Sequence, residues 1–209
     1  MAVSPVGLTK ETAERMILDA GAIYKNLQYE NGEFTGEAIG ATSGGNEFVV
    51  EIEQRSPEID GLKTRMKGLK FVDSHEANLT VNLKEITAQN IKHAIGPADI
   101  DESDENFEII TGRTSIKKED YIENIAYVGR LSGSQKPVVI ILKNALSTEG
   151  FTMTSEDSNE AVIPIVFHAH ADYEDIEAGR TSYKIYYPKA PQEPEGQQAQ
   201  STNQTEESA

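Results

Sequence analysis

Apolar side chains in this chain recur at every second position, not every third or fourth. In Ala77 to Ile86 (ANLTVNLKEI) Leu79, Val81 and Leu83 share one face, and in Glu47 to Arg55 (EFVVEIEQR) acids and polar residues alternate with Phe48, Val50 and Ile52. A period of two belongs to a half-buried strand, and it excludes an amphipathic helix over the same residues. Six glycines between Gly21 and Asn46 supply the positive φ angles that tight turns and bulges need. No catalytic constellation interrupts these segments. The pattern therefore predicts a protein that works through its surfaces and its backbone pairing, and not an enzyme.

Other segments extend the pattern. Ile17 to Leu27 reads as a first strand. Tyr121 to Leu131 and Val138 to Ala145 flank SGSQKP, where Gly133 and Pro137 mark a hairpin-like turn. Phe151 to Ser155, Ala161 to Tyr173 and Thr181 to Tyr187 complete the set. One helix is signalled by Thr87 as N-cap, by Ile91 and Ile95 at i and i+4, and by Gly96-Pro97 as its stop. Thr9 to Met16 is read as a second, short one. The expected class is mainly β, an antiparallel β-sandwich or barrel with one flanking α-helix.

Three stretches divide the chain: an N-terminal arm at 1–16, a β domain at 17–188, and an acidic tail at 189–209. The tail (KAPQEPEGQQAQSTNQTEESA) has no apolar residue larger than alanine. It cannot bury enough surface to offset the ~1–2 kcal/mol per residue that backbone ordering costs, so disorder is expected there.

A formal charge of −16 argues against binding that neutralises phosphates, which needs clustered Lys and Arg. Without cysteine there is no disulfide, thiolate nucleophile or thiolate metal site. The first residues, MAVSPVGLTKETAER, show no apolar leader segment, and no apolar run approaches the ~18 residues of a membrane span. Neither a cofactor nor a membrane is expected.

The charge is unevenly placed. Residues 98–108 carry Asp99, Asp101, Glu102, Asp104, Glu105 and Glu108 with no base, whereas 55–70 carry Arg55, Lys63, Arg65, Lys67 and Lys70 against Glu58 and Asp60. Both can be ordinary solvated loops. In an assembly, the basic segment of one copy would meet the acidic segment of another and set orientation.

One constellation could carry chemistry. On a strand, His168, His170 and Asp172 would share a face, close enough together for a metal ion such as zinc. The competing reading is a strand whose polar side faces solvent, a groove or a neighbour, and it is preferred because His75 and His93 stand in no ligand pattern. Gly40 to Gly45 has the glycines of a phosphate loop but lacks the Lys-Ser/Thr that would follow. Ser132 lies in a turn and not in a nucleophile elbow.

Taken in order, several pieces resemble the major tail tube protein of long-tailed bacteriophages of Gram-positive bacteria. They are ILDAGAIYKNL with GEFTGEAIGATSGGNEF, EIDGLKTRMKGLK, LTVNLKEITAQNIKHAIG, and YIENIAYVGRLSGSQKPVVIILKNALSTEGF leading into EAVIPIVFHAHAD. The resemblance spans roughly residues 15–188 and rests on order and spacing; the acidic insert and the tail lie outside it. It implies a structural virion protein whose hexameric rings stack into the tube through which DNA is ejected, in contact with tape measure, distal tail and tail terminator proteins. Its location would be the virion tail, and the host cytoplasm before assembly. Under that reading the segment with Arg55, Lys63, Arg65, Lys67 and Lys70 is an inter-ring or inter-subunit loop, with Asp99, Asp101, Glu102, Asp104 and Glu105 as a candidate partner. Glu47, Glu51 and Glu53 are candidate lumen residues past which DNA slides without specific binding. A tube protein of a phage-derived, bacteriocin-like particle is equally compatible. A metal-dependent hydrolase built on His168, His170 and Asp172 is the enzymatic alternative.

Overall fold

The computed structural model describes residues 6–189 apart from Lys10, Glu156, Ser158 and Asn159; all but the first residue of the expected tail therefore lies outside the described residues. The strands are β1 (Ile17–Glu30), β2 (Glu33–Ala38), β3 (Thr42–Arg55), β4 (Phe71–Leu83), β5 (Ala98–Asp101), β6 (Ile109–Gly112), β7 (Ile122–Leu131), β8 (Val138–Ser147), β9 (Ile163–His168) and β10 (Tyr183–Tyr186), with helices α1 (Ala88–Ile95) and α2 (Tyr173–Glu177). All pairings are antiparallel. The class is mainly β, as expected.

One path of strands runs β2-β1-β7-β8-β9-β4-β3. It forms two layers because β8 divides its far edge: Val139 to Leu142 pair with β10, whereas Leu146 and Ser147 pair with β9. The faces that meet between the layers hold the core. Ile23, Leu79, Val81, Leu83, Ile125, Leu142, Ile165 and Phe167 are buried there, and Phe48 and Ile91 pack against them. The alternation in β4 thus selects the core face directly. The opposite face of the β1-β7-β8 layer carries a smaller cluster of Leu27, Ala126, Val139 and Ile141, beside a Tyr29–Phe34–Tyr186 aromatic group with centroids 4.6 to 5.7 Å apart.

α1 flanks the sandwich as the sequence predicts. Thr87 Oγ1 accepts from the Asn90 N–H at 3.1 Å, and Gly96 closes the helix at φ +81°. The buried Ser147 hydroxyl donates to the Ala94 carbonyl at 3.1 Å and ties the helix end to β8. On the same helix, burial pushes the His93 imidazole down to about 4, assisted by Lys25 and Lys92. An unfolded chain titrates this ring near 6.5, so it takes up the proton first as pH falls. The stabilisation from neutral His93 is complete above about pH 6.5 and lost progressively towards pH 4, by about 3 kcal/mol. Urea midpoints at pH 7.5 and 5 are expected to fall further for the wild type than for His93→Gln; equal falls would refute the shift.

Several local expectations are corrected. Of the six glycines, Gly21, Gly32, Gly40, Gly44 and Gly45 take positive φ, but Gly36 lies inside β2. Phe151 to Ser155 is not a strand; it contributes only the bridge Thr154↔Val162. The strand expected over Ala161 to Tyr173 ends at His168, and α2 follows. The expected helix at Thr9 to Met16 is a 3-10 turn at Thr12–Arg15. Its end joins the β7–β8 turn through Ser132 N–H to Met16 O (2.9 Å) and Gly133 N–H to Glu14 O (2.8 Å).

Candidate functional site

β3 and β4 form a long ribbon whose root and tip differ. At the root, β4 lies between β3 and β9, with Leu79 paired to Phe167. Among the described residues, β4 has no strand neighbour but β3 towards the tip, since its pairing with β9 begins at Asn78. Glu51 to Arg55 and Phe71 to Asp73 are exposed on both faces. Ile52, Phe71 and Val72 are 46%, 50% and 58% exposed, a poor arrangement in water for a ribbon with no core beneath it. A bulge between Glu53 and Gln54 bends the pairing there. Local contacts hold the tip: Arg55 Nε meets Asp73 Oδ1 at 2.7 Å, Lys70 Nζ donates to Gln54 Oε1 at 3.0 Å, and the Arg55 guanidinium lies 5.6 Å from the Phe71 centroid.

The loop beyond, residues 56–70, folds on itself around a cleft of about 750 Å3 lined by residues such as Ile59, Leu62, Lys63, Arg65, Met66 and Lys67. Gly61 and Gly68 allow its reversals at φ +85° and +92°. The five basic residues thus divide into two kinds. Arg55 and Lys70 hold the ribbon, while Lys63, Arg65 and Lys67 have no ion-pair partner among the described residues.

The acidic stretch is a hairpin of β5 and β6, where the sequence suggested only an insert. Its acids also divide. Asp99 is engaged within the chain, 2.8 Å from Arg113 Nε and 3.9 Å from Lys117 Nζ, and Arg113 also pairs with the buried Asp120. Asp101 accepts from the Ser103 N–H at 2.9 Å, and hydrogen bonding by Ser103 holds its carboxyl below the usual range. Asp104 organises the tip by accepting from the N–H groups of Asn106 and Phe107 at 2.8 and 3.0 Å. Glu102, Glu105 and Glu108 are exposed, and Phe107 is 72% exposed between them. Among the described residues, basic loop and acidic hairpin form no ion pair with one another.

Glu47, Glu51 and Glu53 do share a face of β3, opposite Thr80, Glu76 and Ser74, and all three are exposed. The other face carries Phe48 towards the core. Glu76 joins this acidic face directly across from Glu51; its even position in the alternation of β4 was the signal for it. No protein-family model and no curated protein matches the chain. No helix among the described residues is long and apolar enough to cross a membrane.

The His168, His170 and Asp172 face does not form, because β9 stops at His168. His168 Nε2 lies 3.8 Å from Glu149. His170 Nδ1 is 3.0 Å from the Asn144 carbonyl, with its ring edge-on to Tyr121. Asp172 accepts from Asn144 Nδ2 at 2.9 Å and precedes α2. Among the described residues no group of three His, Asp, Glu or Cys is placed to hold a metal ion. What this region does is fasten α2: the buried Asp175 carboxylate is gripped by Lys143 and by Arg180.

Proposed function

We propose that this chain is a tail tube protein, a structural virion subunit that assembles as stacked hexameric rings into the conduit for DNA ejection. The observation that carries the reading is the β3–β4 ribbon, exposed on both faces at its tip and ending in a loop of open apolar side chains and of three cations, Lys63, Arg65 and Lys67, that have no ion-pair partner among the described residues. Such a ribbon gains stability by lying on another copy. Two further features support it. The strand path ends in β2 and β3, each with one edge unpaired among the described residues. Head-to-tail pairing of those edges closes a ring by rotation and removes aggregation-prone edges. The face of Glu47, Glu51, Glu53 and Glu76, turned inward, repels phosphates so that DNA slides. Tape measure, distal tail and tail terminator proteins would bound the tube.

Negative-stain electron microscopy and light scattering on concentrated protein test this. Hollow tubes or six-fold rings are expected. A monomer at every concentration, with the ribbon still open to solvent, would overturn the reading.

A further inference from the structure

The loop at the ribbon tip and the β5–β6 hairpin are opposite in charge, yet among the described residues they form no ion pair within one chain. The loop offers Lys63, Arg65 and Lys67, which have no ion-pair partner among the described residues, around a cleft whose lining includes Ile59, Leu62 and Met66. The hairpin offers a single exposed ring, Phe107, whose backbone N–H donates to Asp104. Glu102, Glu105 and Glu108 flank Phe107 in the chain and are exposed like it, while Asp99 and Asp101 are occupied within the hairpin and at its root.

We propose that the occupant of the loop cleft is the β5–β6 hairpin of a second copy of this chain. Phe107 seats among the apolar lining, and its flanking glutamates face the three cations. Charge complementarity steers the approach and rejects loop-to-loop and hairpin-to-hairpin contacts. Because different surfaces of the two copies meet, the contact is heterologous and propagates from copy to copy. The inference rests on the tube reading for its role, naming which surface the loop grips, but the contact can be tested without tubes.

The first test mixes isotopically heavy and light protein at high concentration, treats it with a carbodiimide, and maps cross-links by mass spectrometry. Heavy-to-light links joining Lys63 or Lys67 to Glu102, Glu105 or Glu108 are expected, and weaker ones in high salt. The second uses two triple variants, Lys63→Glu/Arg65→Glu/Lys67→Glu and Glu102→Lys/Glu105→Lys/Glu108→Lys, with unchanged urea midpoints as the check on folding. Each is expected to need about tenfold more protein to assemble, and the six-fold combined variant to recover. Inter-copy links without tubes would uphold the contact and sink the tube reading. Tubes that form equally well in every variant, or links confined to other residues, would overturn the contact and leave the tube reading standing.

Discussion

Phe167→Ala is expected to lower unfolding stability by about 3–5 kcal/mol, which is enough to unfold a marginal domain. Phe167 is fully buried. It pairs across β9 with Leu79 of β4 and with Ser147 of β8, at the point where the path passes from one layer to the other. Truncation leaves a cavity lined from both layers, and the close-packed walls cannot collapse into it. Urea denaturation gives the measurement. Ile52→Ala is the control: half-exposed at the ribbon tip, it should shift the monomer by no more than about 0.5 kcal/mol while still impairing assembly. Equal losses for the two would mean that the tip is packed in the monomer, contrary to the structure.

Gly96→Ala carries the second large effect. Gly96 stands at φ +81°, and an added Cβ would lie 2.4 Å from the Ser147 carbonyl oxygen. The positive-φ backbone, outside the left-handed helical well at ψ −93°, contributes about 1–3 kcal/mol, and the clash about as much again as an overpacked core. A total near 3 kcal/mol is expected, with α1 levered off β8 and the Ser147–Ala94 hydrogen bond broken. Gly179→Ala separates the two contributions, because Gly179 also has positive φ (+62°) but open space where the Cβ would go. Its expected loss is the backbone part alone, about 1 kcal/mol. If both variants lose the same amount by urea denaturation, the clash is absorbed and the helix docking is looser than described.

These residues also show what was legible in the sequence and what was not. The core half of β4 was legible because Leu79, Val81 and Leu83 alternate with polar neighbours, and a buried face imposes that alternation. α1 was legible because Thr87 and Gly96 are chemically specific ends. β2 was missed: EFTGEA holds one large apolar residue, and its glycine reads as a turn. β5 and β6 were missed because four-residue strands in an acidic run are too short to show a period. α2 was hidden by reading VFHAHADY as one extended run, although Asp172 is an acceptable helix N-cap type. For the candidate site, the sequence marked which segments concentrate cations and acids but could not divide them. Whether Arg55 reaches Asp73, or Asp99 reaches Arg113, is settled by tertiary packing. The exposure of Ile52 and Phe71 was equally invisible, since alternation predicts a buried face whether or not a core lies beneath it.

The order in which strands neighbour one another has a consequence in time. Ile23 must find Tyr127, and Leu79 must find Phe167, so both layers wait on segments made late in the chain. β7 and β8 can zip together as a local hairpin, as can β1 with β2 and β3 with β4, but the second edges of β1 and β4 stay without partners until β7 and β9 follow. Topologies dominated by such distant pairings fold slowly and expose unpaired strands meanwhile. The −16 charge then acts as mutual repulsion among half-folded chains during the interval in which they are most apt to stick.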